Sequence, residues 1–183
     1  MLKYYQFLKD HSKDAHISSE KVIINQIKSI KDKEAYLIFL NKFRAFFEYV
    51  EKSTADYLES EDLGCSFEKS SANIKDDILA LGGSSSIEIS HQFPKINNSL
   101  EALIGQYILQ GSSFGKSHIG KMLQKTGVIS SSHYFNDQIT TNMQNWPKFI
   151  EFLDSKMDNG NHLVAVEFSN KMFLSLQRLF QEN

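Results

Sequence analysis

The stretch GQYILQGSSFGKSHIGKMLQK, residues 105–125, places apolar side chains at helical spacing on both sides of a small-residue centre. Leu103, Tyr107 and Ile108 precede that centre; Ile119, Met122 and Leu123 follow it. Gly111 and Gly115 stand four residues apart, which puts them on one face of an α-helix. An interior glycine costs a helix about 1 kcal/mol relative to alanine. Two on one face therefore mark a close approach to the backbone, a bend, or both. Tight packing of a neighbouring helix would account for them, and so would a flat cofactor lying over the helix.

The N-terminal segment carries a second irregularity. At about 100° per residue, Tyr5, Leu8, Ser12, His16, Glu20, Ile23, Ile27 and Ile30 fall on one narrow face. Both ends of this stripe are apolar, and Ser12, His16 and Glu20 interrupt its middle. A polar group inside a buried stripe must find partners. An inward-facing histidine is either a hydrogen-bonded core residue or a metal ligand. Glu20, one turn beyond His16, can orient it.

Helical periodicity governs the rest of the chain. It predicts helices at about 2–28, 33–59, 68–81, 97–125, 133–156 and 161–181. Tyr36, Phe39, Leu40, Phe43, Phe46, Phe47 and Val50 recur at spacings of three and four, as do Val166, Phe168, Met172, Phe173, Leu176, Leu179 and Phe180. The run from Gly82 to Asn98, with its glycine and serine cluster and Pro94, reads as a loop. Within it, Ile87–Glu88–Ile89 has strand character but no partner strand. The expected architecture is a single all-α helical bundle spanning residues 1–183.

Composition narrows the function classes. At 183 residues with 41% apolar content, the chain can build one substantial core. Two prolines leave room for long helices, and a net charge of −2 gives no electrostatic case for nucleic acid or an anionic membrane. Cys65 is the only cysteine, so an internal disulfide or a thiolate metal cluster is excluded; no basic residue stands beside it in sequence to mark it as a nucleophile. The start MLKYYQFLKD lacks a signal-peptide core, and no stretch approaches the roughly 20 apolar residues of a membrane span. A cytoplasmic protein is expected.

The two irregular segments together resemble the haem oxygenase family, and most closely its bacterial branch associated with bacteriophytochromes. Leu8, Ser12, His16 and Glu20 match that branch's N-terminal pattern L-x-x-x-T/S-x-x-x-H-x-x-x-E. Residues 107–116, YILQGSSFGK, match its distal-helix pattern Y-V-L-E-G-S-x-L-G-G. Softer matches are the aromatic helix from Tyr36 to Val50, the segment from Trp146 to Leu153, and the last helix through Phe173.

The resemblance implies an all-α fold in which haem is both cofactor and substrate. His16 would ligate the iron, with Glu20 behind it. Gly111, Ser112 and Gly115 would lie over the opposite face, where the helix kinks and leaves room for O2. Lys9 and Lys13 would reach the propionates. The products would be biliverdin, CO and iron, with electrons from a separate ferredoxin or reductase, and the biliverdin could serve a bacteriophytochrome pathway. Three positions depart from the pattern. Lys116 replaces the second glycine of the family's pair, and is expected to lean along the cleft edge toward solvent or a propionate. Gln110 replaces an acidic residue. The later basic residues are absent, with Lys148 and Lys156 as substitutes. The alternatives are a haem-binding sensor or carrier of the same fold without turnover, and a haem-free interaction protein. His118 could approach the distal side; His91, His133 and His162 sit in polar surroundings and receive no role.

Overall fold

The structure, a computed structural model, describes residues 2–85, 89–130, 132–136 and 138–182. Among these residues the regular structure is helical: α1 (Lys3–Ser29), α2 (Lys33–Glu59), α3 (Ser70–Ala80), α4 (Ser99–Gly111), α5 (Lys116–Lys125), α6 (Thr141–Ser155) and α7 (His162–Gln181). A 3₁₀ turn, Ser112–Gly115, joins α4 to α5. No helix among the described residues is long and apolar enough to cross a membrane. The strand-like Ile87–Glu88–Ile89 falls mostly outside the described residues.

Local chemistry fixes the helix starts. Asp32 caps α2 by accepting the Ala35 N–H at 2.8 Å. Asn98 caps α4 by accepting from Glu101 N at 3.0 Å, while the Glu101 carboxylate reaches back to Asn97 N at 2.7 Å. Thr140 caps α6 through Met143 N at 3.2 Å. Each cap satisfies a donor that the first helical turn leaves open.

Helix α4 is the centre of the bundle. Its residues Ala102, Leu103 and Ile104 are fully buried in succession, so it is enclosed rather than amphipathic. It packs against α2, α6 and α7, and α1 lies along α7 with further contacts to α6 and α5. The aromatic faces of α2 and α7 meet in the core, with Phe43 and Phe180 ring centroids 4.8 Å apart.

One predicted helix is shortened. Residues 133–140 precede α6 rather than belonging to it. The reason is tertiary: buried Asp77 of α3 accepts from Ser132 Oγ (2.6 Å), His133 N (2.6 Å) and Tyr134 N (3.0 Å). A carboxylate that takes consecutive backbone donors holds the segment in a loop that helical hydrogen bonding would otherwise claim.

Candidate functional site

On α1 the buried line runs through Leu8, Ser12, Ser19, Ile23 and Ile27. It passes beside His16 and Glu20, whose side chains are 52% and 56% exposed. The inward-facing histidine expected from the sequence is therefore corrected to one at the edge of the buried face. The physical reason is self-sufficiency: the Ser12 hydroxyl donates to Leu8 O at 2.8 Å, and that of Ser19 to His16 O at 2.7 Å. A serine bonded to its own helix leaves no polar group unpaired when buried, whereas an imidazole with a second ring nitrogen and a carboxylate keep open polar atoms that favour the exposed edge. His16 Nε2 lies 3.2 Å from Glu20 Oε1, and the His16 ring stands 5.0 Å from the Phe173 ring of α7. Lys9 and Lys13 are exposed on the same helix.

Tyr107 ties α4 to α1. Its hydroxyl meets that of Ser12, and its ring contacts Tyr5 edge-on at 6.2 Å and stacks on Trp146 at 5.8 Å. Burial, reinforced by Tyr5, pushes its ionisation up to about 12, so it is a neutral hydrogen-bonding group at any physiological pH.

The helix break falls where the sequence places it, between Gly111 and Gly115, but the two glycines do different things. A 3₁₀ turn advances about 120° per residue against 100° for an α-helix. Four such steps leave Gly115 about 120° from Gly111 instead of about 40°. A Cβ on Gly111 would sit 3.3 Å from the Trp146 ring, while one on Gly115 would meet nothing within 4 Å. Phe114 beside it is 51% exposed. The Ser112 hydroxyl donates to Leu109 O at 2.6 Å and meets the hydroxyl of Tyr134, and a second lone pair on its oxygen can accept a further hydrogen bond.

Lys116 is corrected outright. The same overwinding turns it inward: it is 5% exposed, with Nζ 4.3 Å from the centre of the Tyr134 ring. It reaches neither solvent nor the cleft edge. Burial pulls its pKa below the usual lysine value, and the charges of Glu68 and Asp77 oppose that shift. Nearby, Gln110 Nε2 donates to Gln106 Oε1 at 2.6 Å, and Gln106 Nε2 to Thr54 Oγ1 at 2.7 Å. Gln110 is thus a core residue, which accounts for an amide in place of a carboxylate there. Lys148 donates to Gly64 O and Lys156 pairs with Glu61 at 2.6 Å, so both are engaged away from α1. His118 is exposed on α5.

The environment of Lys116 yields a stability prediction. An ammonium with a depressed folded-state pKa binds its proton less readily than in the unfolded chain. Stability therefore rises with pH through the window between the two values and is lower beneath it. Lys116→Met keeps the aliphatic packing and removes the buried charge, so it should raise stability at pH 7 by about 1 kcal/mol. It should also flatten the alkaline rise. Urea unfolding at pH 7 and pH 10 measures both; a destabilised Met variant would show the cation–ring contact to dominate instead.

Gly120 was not singled out by the sequence, yet it is the tightest glycine of this region. A Cβ there would sit 2.2 Å from the Phe135 carbonyl oxygen. Its partner is the loop that Asp77 holds, a juxtaposition with no local sequence signal.

This architecture is the haem oxygenase fold. A solved chain from the study of the NO- and CO-bound haem oxygenase of Neisseria meningitidis superposes with a TM-score of 0.74, over 98% of this chain and 93% of that one, at 17% identity. No protein-family model and no curated protein matches the sequence.

Proposed function

We propose that this protein binds haem between α1 and the Ser112–Gly115 turn and, with O2 and electrons from a separate ferredoxin or reductase, opens it to biliverdin, CO and iron. The observation that carries this reading is the uncovered Gly115. The helix pays for a glycine-containing break, yet no protein atom fills the space that its missing side chain leaves. Tight helix packing explains Gly111 and Gly120 but leaves Gly115 unexplained.

The donor set fits a haem. His16 offers an accessible imidazole on α1, which packs beside α5. It would hold the iron, with Phe173 restricting the ring and Glu20 orienting it. Lys9 and Lys13 would pair with propionates by extending from the same helix. Ser112 would accept a hydrogen bond from a water at the turn. Lys116 has no part in this contact, because its ammonium is directed at Tyr134. When bound, the iron porphyrin supplies the oxygen-activating chemistry. The chain's own work is ligation, orientation and leaving one face uncovered. Biliverdin made this way would suit a bacteriophytochrome pathway, as the two motifs suggest.

Titrating the protein with hemin and then adding ascorbate or reduced ferredoxin under air tests the proposal. A Soret band that decays to biliverdin absorbance with release of CO is expected. A stable band would leave only haem binding, and no band would remove the haem reading.

A further inference from the structure

A different part of the molecule contains a nucleophile–base–acid alignment. His91 lies in the segment before α4, and its side chain is only 5% exposed. Its Nδ1 is 2.9 Å from one Glu182 carboxylate oxygen and 3.0 Å from the other. Its Nε2 is 3.0 Å from Ser175 Oγ. A carboxylate at Nδ1 holds the proton there, which makes Nε2 the acceptor for the serine hydroxyl. The Phe93 ring stands 4.8 Å from the imidazole, and Lys42 donates to the Glu182 backbone carbonyl, so base and acid are both held in place. Ser175 differs from the serines that bond back onto their own helix, as Ser71, which donates to Glu51, also does. Ser12, Ser19, Ser29 and Ser155 each donate to a carbonyl of their own helix, whereas Ser175 meets the imidazole.

The alignment opens on an exposed concavity of about 570 Å³, lined by Ser175 and His91 together with Pro94, Leu174, Lys171 and Arg178. That is room for a small molecule. Arg178 lies one turn beyond Ser175 on α7 and brings positive charge that favours an anionic substrate, while Lys171, one turn before it, pairs with Glu167 at 2.7 Å.

We propose that Ser175, His91 and Glu182 form a hydrolytic site for small anionic esters, separate from the haem site. Ser175 Oγ attacks the ester carbonyl while its proton passes to His91 Nε2. The bond to the leaving oxygen breaks, and that oxygen takes the proton from His91. Water then attacks the acyl-serine with His91 again as base, giving the acid and free serine. Glu182 orients the imidazole and offsets its charge. Arg178 supplies N–H donors to the carboxylate of the substrate.

The test uses the full chain at pH 8. A fluorophosphonate probe should label Ser175, with Oγ–P bond formation and loss of fluoride, as located by mass spectrometry. Hydrolysis of the 4-nitrophenyl half-ester of terephthalic acid, whose carboxylate cannot reach its own ester, should exceed that of 4-nitrophenyl benzoate by about tenfold in kcat/KM, from one favourable charge contact. Ser175→Ala and His91→Gln should each reduce it by about 100-fold or more, and Arg178→Gln should remove the preference for the charged ester. An unlabelled Ser175 in wild-type protein with intact helical circular dichroism would overturn the proposal. Equal hydrolysis by wild type and His91→Gln would do the same, leaving His91 as a clamp between loop and helix. The wild-type label decides the matter even where a variant fails to fold.

Discussion

His16→Ala is expected to weaken hemin binding on the order of 100-fold, since loss of even an indirect partner of a metal ligand costs 10- to 100-fold. Haem turnover should fall below detection. The fold should be untouched, because the His16 side chain is half exposed and its ring lies against Glu20 and Phe173 at the edge of the bundle. Substitutions at such positions change stability by about 0.5 kcal/mol or less. Added imidazole should restore the low-energy features of the histidine-ligated spectrum, because the vacated space admits it. Optical titration of wild type and variant with and without imidazole, biliverdin formation on adding ascorbate under air, and helical circular dichroism measure these four outcomes. A variant with the wild-type Soret band and affinity would move the ligand elsewhere, and His118 on α5 would be examined next.

The largest expected effect on stability lies at Gly120. Alanine there gains about 1 kcal/mol of helix propensity. Its methyl group, however, would sit 2.2 Å from the Phe135 carbonyl oxygen, a backbone atom of a segment that Asp77 holds through three hydrogen bonds. Overpacking against a fixed partner costs about 3 kcal/mol. The net loss is then about 2 kcal/mol, which for a chain of this size lowers Tm by about 6 °C. Differential scanning calorimetry reads this directly. A Tm equal to or above that of wild type would mean that the loop yields easily and that Asp77 does not fix it.

How much of this was legible in the sequence follows from which contacts are local. The faces of α2 and α7 repeat apolar residues every three or four positions over many turns, and those helices stand where the pattern places them. The break between Gly111 and Gly115 was legible for the same reason, since glycine's backbone freedom is a local property. The direction of Lys116 was not, because it depends on whether four residues wind at 100° or 120° each. Residues 133–140 carry helical spacing, but Asp77, more than fifty positions away, takes their backbone donors. His91 looked like an ordinary loop histidine; Ser175 and Glu182 reach it only through the packing of α7. The N-terminal stripe places His16 inward, and its depth was misjudged: Ser19, which can bond to its own helix, takes the buried place.

The claim that haem lies over the Ser112–Gly115 turn is tested most directly by measuring hemin affinity and Tm together for Gly115→Leu. Gly115 has φ −88° and ψ −11°, a conformation open to any L residue, and a Cβ added there meets nothing within 4 Å, beside the half-exposed Phe114. Tm should therefore stay within about 2 °C of wild type. Hemin affinity should drop at least about tenfold, a loss of about 1.4 kcal/mol, as the leucine occupies the space the porphyrin needs. An unchanged Tm with unchanged hemin affinity would contradict the account.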